Sequence, residues 1–563
     1  MIIGLDVGGT HTDVVLLDQE GLKKEIKVPT DAVNLFQSVL TGLEAITAGI
    51  DPQQINRIVL STTLTTNAIV QDKVPPVGML ISGGPGIDPE CHRIGSHYFT
   101  VTGAIDHRGR EVHPLQPDKI RELGSRLQDE GIRYLGVVGK FSIRNPVHEL
   151  AIERLLEPAF DKIFLGHRIS GNLNFARRIA TTYLNAAVYP LHRQFYQAVQ
   201  ESLAAKGLVL PIRLLKADGG NMKFESSIEI PIQTILSGPA ASVMGALAFG
   251  SPGKDTLVMD IGGTTTDIAV LIDRAPALDP LGIELASYKT LIRSLETLSI
   301  GVGGDSAVRA ADGAVRVGPD RQGPAMIYGG AAPTPTDALA VLGSADPAER
   351  NVAVAGLTPL ARQLGVTVEA ASEAIVRTAC DAIISAAQRL VRRINGKPVY
   401  TVHELQEGYQ VRPSEILVLG GPAPQFAEHL QARSGQPVRV VPRWQVANAI
   451  GAALARTTCE VNLFADTEKQ TATAPEENFT VPIGAEFDSN GAVEMAFELL
   501  RKKAVERGAN PAFLEMEVIE NMQFNMVRGF YTTGRNLRVR VQVKPGLIHG
   551  YDELLANLAG GQT

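Results

Sequence analysis

The sequence predicts an α/β protein of two related lobes that face each other across a cleft, with an inserted α/β segment and a small C-terminal α/β domain. Three observations carry that expectation. LDVGGTHTDVVLLD at 5–18 and MDIGGTTTDIAVL at 259–271 share one pattern, in which an acid, two glycines, hydroxyl residues and a second acid sit between apolar runs; the leading acids, Asp6 and Asp260, are 254 residues apart. Runs of strand character alternate with runs of helical period along most of the chain. The length of 563 residues exceeds what one hydrophobic core serves and implies three or four domains.

Residues 2–7 and 13–18 read as strands joined by GGTHT, and KKEIKVPT as a third. Leu35, Val39, Leu43 and Ile46 recur at helical spacing over 34–49. RIVLSTTLTTNAIVQDK is a strand, a hydroxyl-rich turn and a helix, and Pro75-Pro76 then breaks the chain. Residues 77–165 carry strands of their own (VGMLIS, YLGVVGKF, KIFLG) and helices at 117–130 and 146–157, so an α/β segment is inserted at about 76–170. A long helix covers about 175–205. IRLLKADGG is a strand, SGPAASVMGALAF a buried helix, and TLVMDIGGTTTDIAVLID the second hairpin. The Gly-, Pro- and Ala-rich region 318–370 predicts loops and short helices, and 367–394 predicts a helix. EILVLGGPAP is a strand entering a Gly-Gly-Pro turn, and PVRVVPRWQVANAIGAALAR a strand, loop and helix. The run Asp466–Asn478 is polar, holds a proline and lacks aromatics, which predicts a linker. A helix, AVEMAFELLRKKAVERGA, and two strands, FLEMEVIENMQF and RNLRVRVQV, follow it. The expected domains are a first lobe at 1–185, a second at 186–460, a linker at 461–478 and a small domain at 479–563.

A hydrophobic fraction of 44% and a charged fraction of 20% are those of a globular protein in water. A net charge of −7 argues against nucleic acid as a partner, since phosphate backbones need a basic face. Cys91, Cys380 and Cys459 are far apart with no CxxC, which favours a reducing compartment and no disulfide framework. MIIGLDVGG has neither a basic n-region nor an apolar h-region, and the weakly polar stretch Ile235–Phe249 is too short to span a bilayer. The expected location is therefore cytoplasmic, without a membrane partner.

Gly8-Gly9-Thr10 is followed by an apolar strand. A P-loop and a dinucleotide fingerprint both open a helix instead. Glycines in a hairpin turn let backbone N–H groups approach a ligand closely. Thr10 and Thr12 add hydroxyls. Asp6, ending the incoming strand, is placed to hold a Mg²⁺ water near phosphates, and Asp13 to position the turn or share that shell. A tight glycine turn explains either hairpin alone. The match of Gly8, Gly9, Thr10, Thr12 and Asp13 to Gly262, Gly263, Thr264, Thr266 and Asp267, with Thr265 between, instead implies two turns clamping the two ends of a triphosphate. Asp6 and Asp260 are then the expected catalytic and metal-shell acids.

With these residues the sequence resembles the actin, sugar kinase and Hsp70 ATPase superfamily. Asp6–Asp13 resembles its phosphate-1 loop and Asp260–Asp267 its phosphate-2 loop. LVLGGPAP at 417–424 resembles its adenosine loop, which would bring Gly420, Gly421 and Pro422 beside the adenine or ribose. ANAIGAALA at 447–455 resembles its second connecting helix. The blocks STTLTTNAIVQDK, DHRGREVHPL, FSIRNPVHE, ATTYLNAAVYP, DGGNMKFE, PIQTILSGPAASVMGA, DIGGTTTD, ETLSIGVGGDS and TPTDALAVLG run in the order of the hydantoinase A/5-oxoprolinase family over about 1–455. The resemblance implies two actin-like ATPase lobes, ATP and Mg²⁺ as cofactors, and ATP-dependent opening of a small cyclic amide (a hydantoin, 5-oxoproline or related lactam) through phosphorylation of the amide oxygen. It further implies an A-type subunit with a separate B-type partner, and it allows a homo-oligomer. A small-molecule kinase, a ketone-activating carboxylase subunit and an ATP-driven activator or chaperone-like switch are the alternatives on the same fold.

Gly303, Gly304 and Asp305 in GVGGDS are expected near the cofactor. Asp305 stands where the family carries a glycine or small residue, and reads either as an acid–base or Mg²⁺-water group or as the N-cap of a helix over DSAVRAAD. His92, His97, His107 and His113, with Cys91, lack metal-site spacing and read as surface or core side chains. Asp106, Arg108 and Arg110 face substrate or form an ion-paired turn. Arg177 and Arg178 bind an anion or lie on a solvated helix face. Thr62, Thr63, Thr65, Thr66 and Asn67 contact substrate or serve as caps and turn bonds. Residues 456–563, GPAMIYGG at 323–330 and SGNLNFARR depart from the family pattern and leave the substrate open.

Overall fold

The first hairpin forms from β1 (Ile2–Val7) and β2 (His11–Leu17), with Asp6 opposite Asp13 and Val7 opposite Thr12. This is a computed structural model, and it describes all residues except 10, 32–34, 206–209, 280, 286, 397–408 and 561–563. β3 (Leu22–Pro29) pairs antiparallel with β2, and β4 (Arg57–Thr62) lies parallel to β1. α1 (Leu35–Thr47) turns Val39, Leu43 and Ile46 onto Leu5 and Val14, as its helical spacing requires. α2 (Leu64–Val70) follows β4 after one residue.

The insertion is a parallel sheet of its own. β5 (Gly78–Ser82), β6 (His97–Val101), β7 (Tyr134–Gly139) and β8 (Lys162–Leu165) run in the order β8-β7-β5-β6. Their nearly continuous apolar runs match strands covered on both faces. α3 (Phe175–Ala205) brings the chain back to the first lobe, where β9 (Ile212–Leu215) lies parallel to β4 and β10 (Asn221–Lys223) pairs with β9. A parallel neighbour needs a long crossover, and α3 is that crossover. The boundary expected at 185 therefore falls inside α3, and the first lobe takes strands from beyond it.

The second lobe repeats the first. α4 (Ser237–Leu247) leads to β11 (Asp255–Ile261) and β12 (Thr266–Ile272), with Asp260 opposite Asp267. β13 (Ala275–Pro276) and β14 (Thr297–Ile300) both pair antiparallel with β12. β15 (Ser306–Ala311) and β16 (Ala314–Arg321) form a separate hairpin. The helix expected over 305–312 is thus a strand. Asp312 and Gly313 both take positive φ and close the two-residue turn that favours a hairpin, so Asp305 caps nothing. Helices Pro335–Leu339 and Pro347–Leu364 occupy the region expected to hold loops and short helices, and the second runs 18 residues. After α5 (Val368–Asn395), β17 (Glu415–Leu419) lies parallel to β11 and β18 (Val438–Val440) parallel to β17. Strands β2-β1-β4-β9 and β12-β11-β17-β18 therefore share order and direction. α6 (Ala447–Leu454) closes the lobe.

The expected linker at 461–478 is sheet instead. β19 (Glu460–Asp466), β20 (Thr471–Ala474) and β21 (Phe479–Pro482) pair with β22 (Met516–Arg528) and β23 (Tyr531–Val543) in the order β21-β20-β19-β23-β22. Before β22, α7 (Ser489–Glu506) buries Ala492, Ala496, Leu500 and Ala504 on β19 and β23. The strand β20 is made of threonines and alanines, and their low hydrophobicity hid it. α8 (Asp552–Gly560) packs Leu554 and Leu558 on Ile2, Val15 and Leu17 of the first lobe. The three cysteines are free, Cys91 exposed and the other two buried. Among the described residues no helix is long and apolar enough to cross a membrane.

Candidate active site

The two lobes meet where α4 and α6 cross. A Cβ on Gly245 would lie 2.3 Å from the Ala447 carbonyl oxygen, and one on Gly451 would lie 2.3 Å from that of Ala241. A Cβ on Gly4 of β1 would lie 2.0 Å from the Ala449 oxygen. Backbones touch at all three places, so only glycine fits. The close crossing sets Asn448, near the start of α6, over the ends of β1 and β11. Its Nδ2 donates to Asp260 Oδ2 at 3.1 Å, and the same amide and the Ser61 hydroxyl face Asp6. Ser242 on α4 donates to Asp260 Oδ2 at 2.6 Å.

The two turns have the same build. The Gly8 N–H donates to the His11 carbonyl at 3.0 Å, and the Gly262 N–H to the Thr265 carbonyl at 2.9 Å. Gly9 is exposed and has open space where a Cβ would stand. Around the turns lie acids with little to neutralise them. Burial, with the charges of Asp13 and Asp260, pushes Asp6 up to about 7 against the bonds from Ser61 and Asn448. Burial also raises Asp260, against Ser242 and Asn448. Burial and the Asp260 charge push Asp267 up to about 6, against a bond from Ser299. Asp13 is raised by burial too, but Lys27 pairs with it at 2.9 Å. Asp6 Oδ1 and Asn448 Oδ1 are buried without a hydrogen-bond partner.

This donor set fits a hydrated divalent cation. Mg²⁺ keeps several waters and is bound through one or two carboxylates together with phosphate oxygens. Asp6 and Asp260 supply two carboxylates, and Asp6 an unengaged oxygen. Among the described residues no three His, Cys, Asp or Glu side chains converge to hold a metal by themselves.

The other predicted glycines gather on the second hairpin. The N–H groups of Gly304 and Asp305 donate to the carbonyls of Gly262 and Gly263 at 2.9 and 2.6 Å. A Cβ on Gly303 would strike those carbonyls at 2.5 and 2.7 Å. Asp305 Oδ2 lies 2.7 Å from where a Gly263 Cβ would stand, and accepts from Arg321 Nη2 at 2.8 Å. Gly304 packs on the Pro422 ring. Gly420 takes φ +93°, and a Cβ there would lie 2.5 Å from Asp260 Oδ1. Gly421 is open. The structure thus brings Asp260, Gly262, Gly263, Gly303, Gly304, Asp305, Gly420, Gly421 and Pro422 into one wall, with Asp6, Gly8 and Gly9 opposite.

Some predicted roles change. Thr12 is buried and its hydroxyl bonds Thr30 at 3.0 Å, while Thr266 donates to the Val302 carbonyl at 2.6 Å. Both hydroxyls serve their own lobes rather than the cleft. Thr264 and Thr265 remain at the turn, half-buried and exposed, and Thr10 lies outside the described residues. Arg177 Nη1 donates to the carbonyls of Leu281, Gly282 and Thr290. Arg178 is fully buried and donates to those of Asn172, Gly139 and Lys140. Both arginines therefore bind backbone carbonyls, Arg178 wholly away from solvent and Arg177 half-buried. Asp106 accepts from the Arg108 and Arg110 N–H groups and pairs with Arg110, an ion-paired turn. The Thr62 carbonyl accepts from Ser237, Thr66 accepts from the Leu236 N–H, and Thr65 bonds Thr234, so this hydroxyl cluster ties the start of α4 to the end of β4.

Sequence reasoning missed Ser242, Ser237, Asn448 and Arg321. The first three stand on helices otherwise built of small apolar residues, SGPAASVMGAL and ANAIGAAL. A polar side chain on a buried helix needs a partner, and that was the available signal.

Comparison with known proteins agrees with this geometry. Residues 178–461 match the model of the hydantoinase/oxoprolinase family, and residues 2–160 that of the hydantoinase/oxoprolinase N-terminal region. The caprolactamase subunit alpha of Pseudomonas jessenii is 24% identical over 78% of this chain and 68% of that protein. The acetophenone carboxylase gamma subunit of Aromatoleum aromaticum is 25% identical over 93% of this chain and 77% of its own length. Among solved structures, nucleotide-free acetone carboxylase superposes with a TM-score of 0.71 at 17% identity, covering 98% of this chain and 88% of that one. The ATP-dependent caprolactamase of P. jessenii gives 0.70 at 19%, covering 97% and 88%. The fold is two actin-like ATPase lobes with a cleft between them, an inserted α/β segment and a small C-terminal α/β domain.

Proposed function

The chain belongs to the hydantoinase/oxoprolinase family, and on that premise we propose that it is the A-type, nucleotide-binding subunit of an ATP-dependent enzyme that opens a cyclic amide. The observation that carries the reading is the pair of acids, buried Asp6 and half-buried Asp260, at the ends of twin glycine turns and joined across the hinge by Asn448. Such a pair is costly to bury alone and is matched by a cation and phosphates.

The N–H groups of Gly9 and Gly263 face the phosphates from the two sides, while those of Gly8 and Gly262 close their own turns, and Thr264 and Thr265 add hydroxyl donors. Gly420, Gly421 and Pro422 border the nucleoside. Asp6 and Asp260 would hold a hydrated Mg²⁺, which would supply charge neutralisation for a phosphoryl group in transfer. Arg321 aims Asp305 at the Gly263 turn, where its carboxylate orients the accepting oxygen.

A lactam amide is a weak electrophile with a poor leaving group. Transfer of the γ-phosphoryl of ATP to the amide oxygen releases ADP and turns that oxygen into a leaving group. Water then adds to the activated carbon, the ring C–N bond breaks with the nitrogen taking a proton to leave an acyl phosphate, and a second water attacks the same carbon, so that phosphate departs with the former amide oxygen. What this chain contributes is positioning and a fixed field of N–H donors. A B-type partner for the later steps fits the names of the relatives, which are subunits. A cytoplasmic setting fits three free cysteines. A second reading, a carboxylase subunit that phosphorylates a ketone in the same cleft, is favoured by the acetophenone carboxylase likeness over 93% of the chain.

ADP release against a panel of hydantoins, lactams, ketones and polyols, with Asp6→Ala as the blank, tests the reading. Stimulation by cyclic amides is expected. Stimulation by ketones alone selects the carboxylase reading, and stimulation by none removes both.

A further inference from the structure

We propose that Arg293 is the centre of a substrate subsite for a planar oxyanion, in a cavity walled by the inserted segment, both lobes and the C-terminal sheet. The proposal rests on the reading that the protein activates a small molecule with ATP. Two adjoining cavities, with about 80 and 140 Å³ of room for water-sized centres, share Ser170, Leu291, Arg293 and Glu460. One water needs roughly 10–15 Å³ on that measure, so each admits a group of several heavy atoms.

Arg293 is largely buried between them, its side chain 15% exposed, and none of its three guanidinium nitrogens has a hydrogen-bond partner. The carboxylates nearest it stand too far for good bonds, Asp218 at 3.9 Å from Nε and Glu460 at 3.7 Å from Nη1. Asp218 is already engaged by Lys216, Thr458 and the Gly220 N–H. Five cationic side chains against three carboxylates line the first cavity. A buried, unengaged guanidinium offers a planar fork of N–H donors, which a carboxylate or carbonate matches with two parallel bonds.

The position suits an acceptor substrate. Gln233 lines the same cavity. Four residues on, Ser237 bonds the Thr62 carbonyl at the end of β4, beside β1 and Asp6. One short segment thus joins the anion subsite to the phosphate turns. The oxyanion is either a carboxylate carried by the cyclic amide or free bicarbonate.

Binding to the nucleotide-free, full-length protein separates these sources. The probes are 5-oxoproline, 2-pyrrolidinone (the same ring without the carboxylate) and bicarbonate, titrated calorimetrically into wild type, Arg293→Gln and Arg293→Lys. We expect 5-oxoproline or bicarbonate to bind wild type and 2-pyrrolidinone not to. Arg293→Gln should weaken the anion at least tenfold and Arg293→Lys less, with Mg²⁺-ATP binding kept as the check on folding. If Arg293→Gln fails that check, Arg293→Lys decides, since losing the fork while keeping the charge must still weaken the anion. Binding by neither anion, or equal binding in wild type and variants, overturns the proposal. Anion binding without any ADP release on lactam addition would refute the lactam reading and leave the subsite standing. Lactam-stimulated ADP release unchanged in Arg293→Gln would do the reverse.

Discussion

Replacing Asp6 with asparagine keeps the shape of the side chain and removes the charge that burial opposes. Folded, Asp6 holds its proton up to about 7, against an ordinary value of 3.8. The folded state therefore binds an extra proton between about pH 4 and 7, and stability falls as pH rises through that window, then levels off. A difference of about three pH units is worth ~4 kcal/mol at pH 8, and relaxation around the charge brings the observable to on the order of 2–4 kcal/mol. Asp6→Asn should then make the nucleotide-free protein more stable at pH 8, by roughly 5–10 °C in the melting of the lobe that holds it, with the gain shrinking towards pH 5. Scanning calorimetry at both pH values in the presence of a chelator measures this. The same variant should gain little from Mg²⁺-ATP, which stabilises wild type by mass action. A variant no more stable than wild type at pH 8, or a gap that does not change with pH, refutes the account of Asp6 as an uncompensated buried acid.

Other substitutions probe the surrounding geometry. Gly451→Val drives a side chain into the Ala241 oxygen and the Gly245 nitrogen, each 2.3 Å from the Cβ position; it should cost ~1–3 kcal/mol and weaken ATP in calorimetric titration, because the hinge opens. Arg178→Met leaves three carbonyls and buried Glu149 without their cation; a loss of ~3–5 kcal/mol in thermal unfolding is expected, with nucleotide affinity retained. Asp305→Asn releases Arg321; turnover should fall on the order of 10²-fold with ATP affinity kept, and a loss of affinity instead would assign Asp305 to loop building.

What the sequence revealed and what it concealed follow from different physics. Repetition revealed the cleft. The copies at Asp6 and Asp260 match in strand register, turn bond and burial, because both lobes solve the same backbone problem. The pattern assigned the Thr12 and Thr266 hydroxyls to the ligand, although a hydroxyl at that position serves fold or ligand equally; the bonds to Thr30 and Val302 turn both to the fold. Asn448 and Ser242 were hidden in helices that read only as a connecting helix and a buried helix, because their partners lie 188 and 18 residues away in the chain. The strand Thr471–Ala474 was hidden by small size, since threonines and alanines carry little hydrophobic signal. Arg178 read as an anion ligand or part of a solvated face because arginine is rarely buried whole, and its three carbonyl partners come together only in the fold.

The most direct test of the central claim follows one oxygen atom. A lactam that stimulates ADP release is labelled with oxygen-18 at its carbonyl and turned over to completion, with the partner subunit present if turnover needs it. Phosphorylation of the amide oxygen predicts that the label leaves the ring and appears in inorganic phosphate, one atom per ring opened. Label retained in the product carboxylate, with only solvent oxygen entering the phosphate, would contradict it.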